Sequence, residues 1–275
     1  MKHINFIFIL LISVFFASCD KNENTNPNLP ECKLTKETFV NGNNQSSVTY
    51  SYDEQERLIK IVESDVDYSL SIDIIYDENG KISKLEGSDN GDQFIGECTW
   101  DNNVWSIVFK LKEGDSWIET EWKPVVKFDD NNRIIEYMDY EKNNTGAFEL
   151  FTKSVYTWVD DNISSEVFTV FSSTKKGSRS IFNRKNKQYP TNDSYTINYT
   201  YDDKNNAFAS VGIMSIIWNE LPVTKNNIIK EEKSGSQSAN NVEYTYEYSD
   251  KDFPVKSISS NMESGVYVQF EYDCN

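Results

Sequence analysis

The sequence predicts an all-β fold, a rolled and twisted antiparallel meander with one short helical segment at about residues 207–221. Two patterns predict it. Aromatic and apolar residues alternate with polar ones, as at Val48, Tyr50 and Tyr52, and a period of two places such residues on one face of a strand. Clusters of Asp, Asn and Gly interrupt the alternation, and these residues favour tight turns. A strand, a turn and a returning strand together make a β-hairpin.

The hairpins are predicted from a unit that recurs along the chain. Each unit begins with an aromatic residue, continues through a polar turn that contains Asp, and ends in a run rich in aliphatic residues. The units start at Tyr52, Tyr76, Trp100, Phe128, Trp158, Tyr201 and Tyr248. An internal repeat of this kind indicates about a dozen or more short strands joined in sequence, which is a large meander.

Residues 207–221 depart from the alternating pattern. Phe208, Val211 and Met214 recur at intervals of three, which is close to the period of a helix. Pro222 follows, and proline is common just after a helix ends. We therefore expect one short helix, or an apolar flap, packed on the sheet.

The N-terminus has the features of an export signal. Lys2 is followed by a thirteen-residue apolar stretch, 4–16, and then by the small residues Ala17 and Ser18 directly before Cys19. The stretch is shorter than the roughly 20 residues needed to span a bilayer, but it suits a signal peptide. Its small–small–Cys ending resembles the lipobox of bacterial lipoproteins. That resemblance implies that Cys19 receives a diacylglyceryl group and that its freed amine is then acylated, with palmitate as the expected chain. The alternative is an ordinary signal peptide with an incidental Cys.

The segment after Cys19 is polar, and residues 20–31 read DKNENTNPNLPE. Such a composition buries too little apolar surface to fold and predicts a flexible tether. The expected organisation is a signal peptide at 1–18, a tether at 19–31 and a β domain at 32–275. The lipid is expected to hold the domain at the outer membrane of a Gram-negative bacterium, on either the periplasmic or the cell-surface side.

Charge and histidine content exclude several function classes. The chain has 27 basic and 44 acidic residues, a net charge of −17, which repels phosphate backbones and makes nucleic acid a poor partner. The one histidine is His3, within the signal peptide, so the mature chain lacks the imidazole that catalytic triads and most zinc sites use. Oxygen-rich turns such as 129–131 could hold Ca²⁺ but suit hairpin turns equally well. We expect no enzyme activity, no cofactor and no metal.

Five segments, taken in order, resemble those of a family of uncharacterised Bacteroidetes-type lipoproteins and, in degenerate form, the YD repeats of RHS proteins. They are YSYDEQERL at 50–58, WVDDNI at 158–163, YDDKNN at 201–206, NNIIK at 226–230 and YTYEY at 244–248. The resemblance implies a rolled antiparallel sheet on the outer envelope. It implies no activity.

Three cysteines remain after lipidation: Cys32, Cys98 and Cys274. An exported protein meets an oxidising compartment, so a disulfide is allowed, and three single bridges are possible. Cys98 shares a strand face with Phe94 and Trp100, which suits a buried, unreactive thiol. The other two flank the whole repeat array, and chain termini often lie close together. A disulfide between Cys32 and Cys274 is therefore predicted.

A cluster of tryptophans gives the best indication of a ligand. Trp105, Trp117 and Trp122 lie close together in the sequence and are candidate ligand-binding residues. Flat aromatic faces edged by polar groups are used to stack on sugar rings. The alternative is that these residues pack in the core or in cross-strand pairs.

The leading functional interpretation is a lipid-anchored, noncatalytic envelope lipoprotein that acts as a binding or scaffold module for an unknown ligand. The first alternative is a glycan-binding accessory lipoprotein of a polysaccharide-uptake system. The second is a carboxylate-based glycoside hydrolase, because a pair of acidic residues is all that such an enzyme needs. The expected partners are the membrane, through the lipid on Cys19, and either a glycan or another envelope protein.

Overall fold

The computed structural model describes residues 32–171, 193–219, 221–235 and 241–274, so the predicted signal peptide, Cys19 and the predicted tether lie outside the described residues. No helix in those ranges is both long enough and apolar enough to cross a membrane. The elements are β1 (Cys32–Asn41), β2 (Asn44–Tyr52), β3 (Leu58–Ser64), β4 (Ser69–Tyr76), β5 (Ile82–Asp89), β6 (Asp92–Asp101), β7 (Val104–Glu113), β8 (Ser116–Glu119), β9 (Trp122–Phe128), β10 (Ile134–Lys142), β11 (Phe148–Val159), β12 (Asn162–Val170), β13 (Ser194–Tyr201), α1 (Met214–Asn219), β14 (Ile228–Ser234), β15 (Val242–Tyr248), β16 (Pro254–Ser259) and β17 (Val266–Cys274).

These strands form one antiparallel sheet that closes into a barrel. Apart from β8 and β9, strands adjacent in the chain pair with each other, and β1 pairs with β17 as well as with β2. β8 and β9 lie in line along the same edge of β7, so sixteen strands complete the ring. The predicted rolled meander with free edges is therefore wrong. Closure pairs the two outermost strands, whose backbone groups an open sheet would leave without partners.

The two faces of the barrel wall differ in polarity. The inward side chains form one continuous apolar core, and its fully buried members include Leu34, Ile61, Ile72, Leu85, Phe94, Trp105, Ile107 and Phe109. The outward face carries cross-strand ion pairs, among them Lys60–Asp73, Lys110–Glu97 and Lys256–Glu247. Polar and apolar positions thus alternate along each strand with the apolar side inward, as in barrels whose interior is filled by side chains.

The aromatic–Asp segments form tight turns at one end of the barrel. Asp53 Oδ1 accepts hydrogen bonds from the backbone N–H groups of Gln55 and Arg57, and Asp53 Oδ2 accepts one from Arg57 Nε at 2.8 Å. Asp129 repeats the arrangement with Asn131 and Arg133. Carboxylates in this position cap the amides that the turn leaves without partners.

Aromatic residues near the ends of several strands, three of which open a repeat unit, tie one hairpin to the preceding one. Tyr52 Oη donates to the carbonyl of Leu34, eighteen residues earlier, at 2.8 Å. The same eighteen-residue contact recurs from Tyr76 to Leu58, from Trp100 to Ile82, from Tyr246 to Ile228 and from Tyr272 to Pro254. The repeated unit therefore stabilises the barrel rim through side-chain bonds to the backbone of its neighbour.

One turn holds a glutamate, Glu56, in a backbone conformation that glycine adopts more easily. Glu56 has φ of 63°, where the equivalent position of another turn holds Gly80 with φ of 74°. A left-handed conformation costs a residue with a Cβ roughly 1–2 kcal/mol, partly offset by the extra freedom of glycine when unfolded. Glu56→Gly is therefore expected to raise the free energy of unfolding by about 0.5–1 kcal/mol, as measured by urea titration.

The reciprocal variant Gly80→Glu is the matched control and is expected to lose stability by a similar amount. The Lys33–Glu56 ion pair, 3.4 Å long and partly exposed, contributes little to this balance. A Glu56→Gly protein that unfolds at a lower urea concentration than the wild type would contradict the assignment of strain to this turn.

The connection from β13 to β14 closes the turn end of the barrel. We call this connection, residues 202–219 and 221–227, the plug. It buries Ala207, Val211, Met214 and Ile216, and it contains α1, which is only six residues long. The predicted helical segment at 207–221 thus contains a helix, but a shorter one that starts only at Met214, because residues 207–213 form turns and Gly212 adopts φ of 63°.

Hydrogen bonds fix the plug to widely separated parts of the rim. Ser210 Oγ accepts from the backbone N–H of Leu34 at 3.0 Å and lies 2.9 Å from Tyr52 Oη. On the opposite side the backbone N–H of Asn226 donates to Asn162 Oδ1 at 3.1 Å. The plug therefore spans the barrel and forms the roof of its interior.

Candidate functional site

A cavity lies inside the barrel beneath the plug. Its volume is about 240 Å³, and its wall is made by the plug together with β1 and β14–β17. The lining residues are Glu37, Asn206, Ala207, Phe208, Ser215, Leu221, Pro222, Val223, Thr224, Asn227, Ile228, Glu231, Tyr244, Tyr246, Ser257, Ser259, Met262, Val268 and Phe270. The wall is therefore mainly apolar and aromatic with a few polar groups, which is the usual composition of a small-molecule site.

Two carboxyl groups reach this cavity. Glu37 lies opposite Val48 and Phe270 in the sheet, and Tyr50 Oη donates a hydrogen bond to it. Glu231 lies on β14 and accepts a hydrogen bond of 2.7 Å from Tyr244 Oη. Each carboxyl group thus has one tyrosine partner, on the neighbouring strand of its own hairpin.

Burial sets the protonation of Glu37. Desolvation raises the pKa of its carboxyl group to about 7, and the nearby charge of Glu63 acts in the same direction. The hydrogen bond from Tyr50 lowers the pKa but is outweighed. Because the pKa is raised above its unfolded value, Glu37 stabilises the fold most below pH 4.5, and this contribution is lost as the pH rises to about 7.

Other interior carboxylates are bound more fully. Asp139 accepts hydrogen bonds from Trp122 Nε1 at 2.7 Å, Tyr137 Oη at 2.8 Å and Thr152 Oγ1 at 3.0 Å. Glu166 accepts one bond on each oxygen, from Ser154 and Tyr199. These two residues do not line the cavity, and their networks stabilise the barrel wall.

The polar groups of the plug are committed to one another. Asn206 Nδ2 donates to Thr224 Oγ1 at 2.9 Å, and Asn206 Oδ1 accepts from the N–H of Phe208. Asn227 Nδ2 donates to the carbonyl of Asn205 and to Asp202. The roof of the cavity therefore presents side chains that are already hydrogen-bonded, and the carboxyl groups of Glu37 and Glu231 have the most remaining acceptor capacity.

The structure brings the two predicted disulfide partners together. The Sγ atoms of Cys32 and Cys274 are bonded, their Cα atoms are 4.0 Å apart, and the two residues face each other in the register of β1 and β17. Cys98 is a free, half-buried thiol, and burial raises its pKa to about 12.

The three candidate tryptophans do not share one surface. Trp105 is 0% exposed and points inward. Trp122 also points inward and stacks on Phe109 with ring centroids 5.1 Å apart. Trp117 lies opposite Lys112 on the outward face and is 43% exposed. A flat platform formed by all three side chains is therefore not present.

No group of three or more His, Cys, Asp or Glu side chains within the described ranges is placed to hold a metal ion. The oxygen-rich turn at 129–131 uses Asp129 to cap its own backbone.

Sequence reasoning missed both carboxyl groups of the cavity. Glu37 precedes Tyr50 by thirteen residues, and Glu231 precedes Tyr244 by the same interval. This acid–tyrosine spacing across a hairpin is the signal that could have found them, because it places both side chains on the same face of neighbouring strands.

No protein-family model matches the chain, and no curated protein matches its sequence. Among solved structures, a porin-like protein from Bacteroides uniformis has a TM-score of 0.51 and 9% sequence identity, over 87% of this chain and 96% of that one. The chain is similar to it in fold. A porin-like protein from Bacteroides vulgatus matches with a TM-score of 0.40 and 12% identity, over 88% and 98% of the two chains; that score is too low to support an inference.

At this level of identity the likeness to the first protein concerns the fold alone, and it agrees with a closed β-barrel rather than a rolled meander. The resemblance to lipoproteins with YD repeats has no matching family model and stays a prediction.

Proposed function

We propose that this protein is a lipid-anchored lipoprotein of the outer membrane whose barrel lies in water and acts as a noncatalytic binding module, with the ligand held in the cavity beneath the plug. The observation that carries the proposal is the polarity of the barrel wall, which carries paired charges on the outside and is mainly apolar on the inside. A lipid on Cys19 and the polar tether at 20–31 would hold such a barrel at the membrane surface.

The outward ion pairs argue against a barrel that crosses the bilayer. Membrane-spanning barrels carry an apolar band on the lipid-facing side, and Lys or Arg there costs about 2–4 kcal/mol at the midplane. Here Lys60, Lys110 and Lys256 lie outward and are paired with acidic residues across the strands. Membrane attachment would therefore depend on the lipid rather than on the barrel, and several acyl chains suffice for a stable anchor.

The contacts of the cavity wall favour a binding role over catalysis by a serine or threonine nucleophile. The described residues of its wall include no histidine, and the hydroxyl groups of Ser215 and Thr224 donate to backbone carbonyls. An activated nucleophile needs an adjacent base, which these contacts do not provide.

Cys19→Ala tests the anchor. The wild-type protein is expected to incorporate labelled palmitate and to sediment with membranes, whereas Cys19→Ala should incorporate none and either leave the membrane fraction or keep its signal peptide. Cys98→Ala is the matched control and should keep both the label and the location. A Cys19→Ala protein that is cut, unlabelled and still extractable only with detergent would overturn the proposal, because the barrel itself would then be inserted.

The glycan-binding alternative rests on Trp117, whose outward and partly exposed ring could stack on a sugar. It predicts that Trp117→Ala weakens retention on polysaccharide without a change in melting temperature.

A further inference from the structure

We propose that the cavity beneath the plug binds a small organic ammonium ion, attracted by the negative charge of Glu37 and Glu231 in the lining and with its apolar body against the aromatic wall. This inference rests on the proposed binding function and names the class of ligand for the same site.

The residues that line the cavity determine the charge of the ligand that it can bind. Two carboxyl groups reach the cavity, and none of the described lining residues is basic. An anion would meet no opposite charge there and would be repelled by the carboxylates. A cation gains charge-assisted hydrogen bonds, which are about twice as strong as neutral ones.

The acceptor capacity of the two carboxyl groups points the same way. An ionised carboxylate has about four acceptor positions. Glu37 and Glu231 each accept one side-chain hydrogen bond, whereas Asp139 accepts three. A primary ammonium group has three donors and no acceptor, so it suits a lining whose carboxylates have acceptor positions left.

The aromatic wall favours a ligand whose apolar part carries few hydroxyl groups. Tyr244, Tyr246, Phe208 and Phe270 line the cavity, and aromatic faces attract cations as well as apolar groups. A sugar-like polyol needs donors and acceptors in many directions. The plug offers few, because Asn206 is already hydrogen-bonded within it.

The size of the cavity limits the ligand. Its volume of about 240 Å³ exceeds the roughly 150 Å³ of an engineered apolar cavity that takes benzene. An amine with one ring and a short chain, of about ten non-hydrogen atoms, would therefore fit.

The state of Glu37 gives the binding a pH dependence. The groups that act on its carboxyl are Tyr50 and Tyr52 on β2, Glu63 on β3 and Tyr272 on β17. Burial is the first cause that raises the pKa of each tyrosine, which keeps all three neutral at pH 6–8. Affinity for a cation should rise as the pH goes from 6 to 8, because Glu37, whose pKa is about 7, becomes charged.

The test is calorimetry with the full chain purified from membranes, using three probes that share a phenyl ring and are similar in size: phenethylamine, 2-phenylethanol and 3-phenylpropionate. We expect phenethylamine to bind at least tenfold more tightly than the alcohol at pH 8, and the carboxylate not to bind. The affinity for the amine should fall several-fold at pH 6, while that for the alcohol should not change.

Two isosteric variants test which carboxyl groups contribute to binding of the amine. Glu37→Gln and Glu231→Gln should each weaken amine binding at least tenfold, and Glu37→Gln should abolish the pH dependence. Glu166→Gln is the matched control, since it removes an interior carboxylate that does not line the cavity. The melting temperatures of all three variants identify any that is merely unfolded. In that case the pH dependence of phenethylamine binding to the wild type tests the assignment instead.

The outcomes separate this inference from the proposed function. If the alcohol bound as tightly as the amine, or the carboxylate bound more tightly, the ammonium assignment would be overturned. The variant Ser257→Phe, which fills the cavity, then shows where the alcohol or carboxylate binds. Loss of its binding in this variant would keep the cavity as a binding site. Failure of all three probes to bind overturns the ammonium assignment, and a barrel that is inserted in the bilayer overturns the proposed function as well.

Discussion

Replacing Cys274 with serine is expected to lower the free energy of unfolding by about 5 kcal/mol. The bond between Cys32 and Cys274 joins residues 242 positions apart, so it constrains nearly the whole described chain. In the chain-entropy account, the stabilisation increases with the length of the loop that is closed. In the folded barrel the ladder between β1 and β17 already holds these ends together, so the bond acts mainly on the unfolded chain.

The measurement is urea unfolding of the oxidised wild type, the reduced wild type and Cys274→Ser. The last two should share a midpoint well below that of the first. Cys98→Ser is the matched control, because that thiol is half-buried and forms no disulfide, and it should shift the midpoint little. Identical midpoints for the oxidised and reduced wild type would show that the bond contributes nothing to stability.

The hairpins could be predicted from the sequence because their causes are local. Asp53, Asp77 and Asp129 each cap amides two and four residues ahead. Such contacts need only the residues of one segment, so composition and spacing identify them. Even the exception at Glu56, which occupies a position that glycine would favour, could be noticed from the repeat alone.

Closure of the barrel could not be predicted in the same way. A strand at an edge and a strand in the middle of a sheet show the same alternation, since the pattern reports which face is buried and not which neighbour is paired. The predicted disulfide did bring β1 and β17 together, but one bond between two chain ends is compatible with an open sheet. The register of nine residue pairs between these strands is what makes the sheet continuous.

The cavity was missed for a related reason. Acidic residues on strands usually face water, and only the tyrosine thirteen residues later distinguishes Glu37 and Glu231 from outward residues such as Glu97 or Glu247. Their inward orientation depends on register. On β1, a bulge between Leu34 and Lys36 shifts the alternation by one residue, so that both Leu34 and Glu37 point inward.

The tryptophans show how far the alternating pattern can be used. Trp105 is in phase with Ile107 and Phe109 and out of phase with Ser106 and Lys110, which already indicates an inward side chain. Trp117 lies in the four-residue strand β8, where the alternation is too short to assign a face. The sequence therefore supported one buried tryptophan, although the three were first considered as one surface.

Trp105→Ala is expected to destabilise the barrel by about 3–5 kcal/mol. The side chain is 0% exposed, and its ring stacks on Trp100 with centroids 5.8 Å apart. Removal of a large buried ring loses its transfer free energy and leaves a cavity that the rigid wall cannot fill. Trp117→Ala, on the outward face, should change the free energy of unfolding by no more than about 0.5 kcal/mol.

Trp105→Phe separates the volume of the ring from its polar atom. Trp105 Nε1 is buried, and among the described residues the only acceptor that acts on it is the Cys98 sulfur, which is a weak one. A buried donor that is poorly satisfied costs up to about 1–3 kcal/mol, so its removal should offset much of the volume lost on going to phenylalanine. We therefore expect Trp105→Phe to unfold within about 1 kcal/mol of the wild type, in urea and by melting temperature. If Trp105→Phe were instead as unstable as Trp105→Ala, the N–H group would be making a contact that stabilises the barrel. If Trp105→Ala were as stable as Trp117→Ala, the ring would not be part of the core.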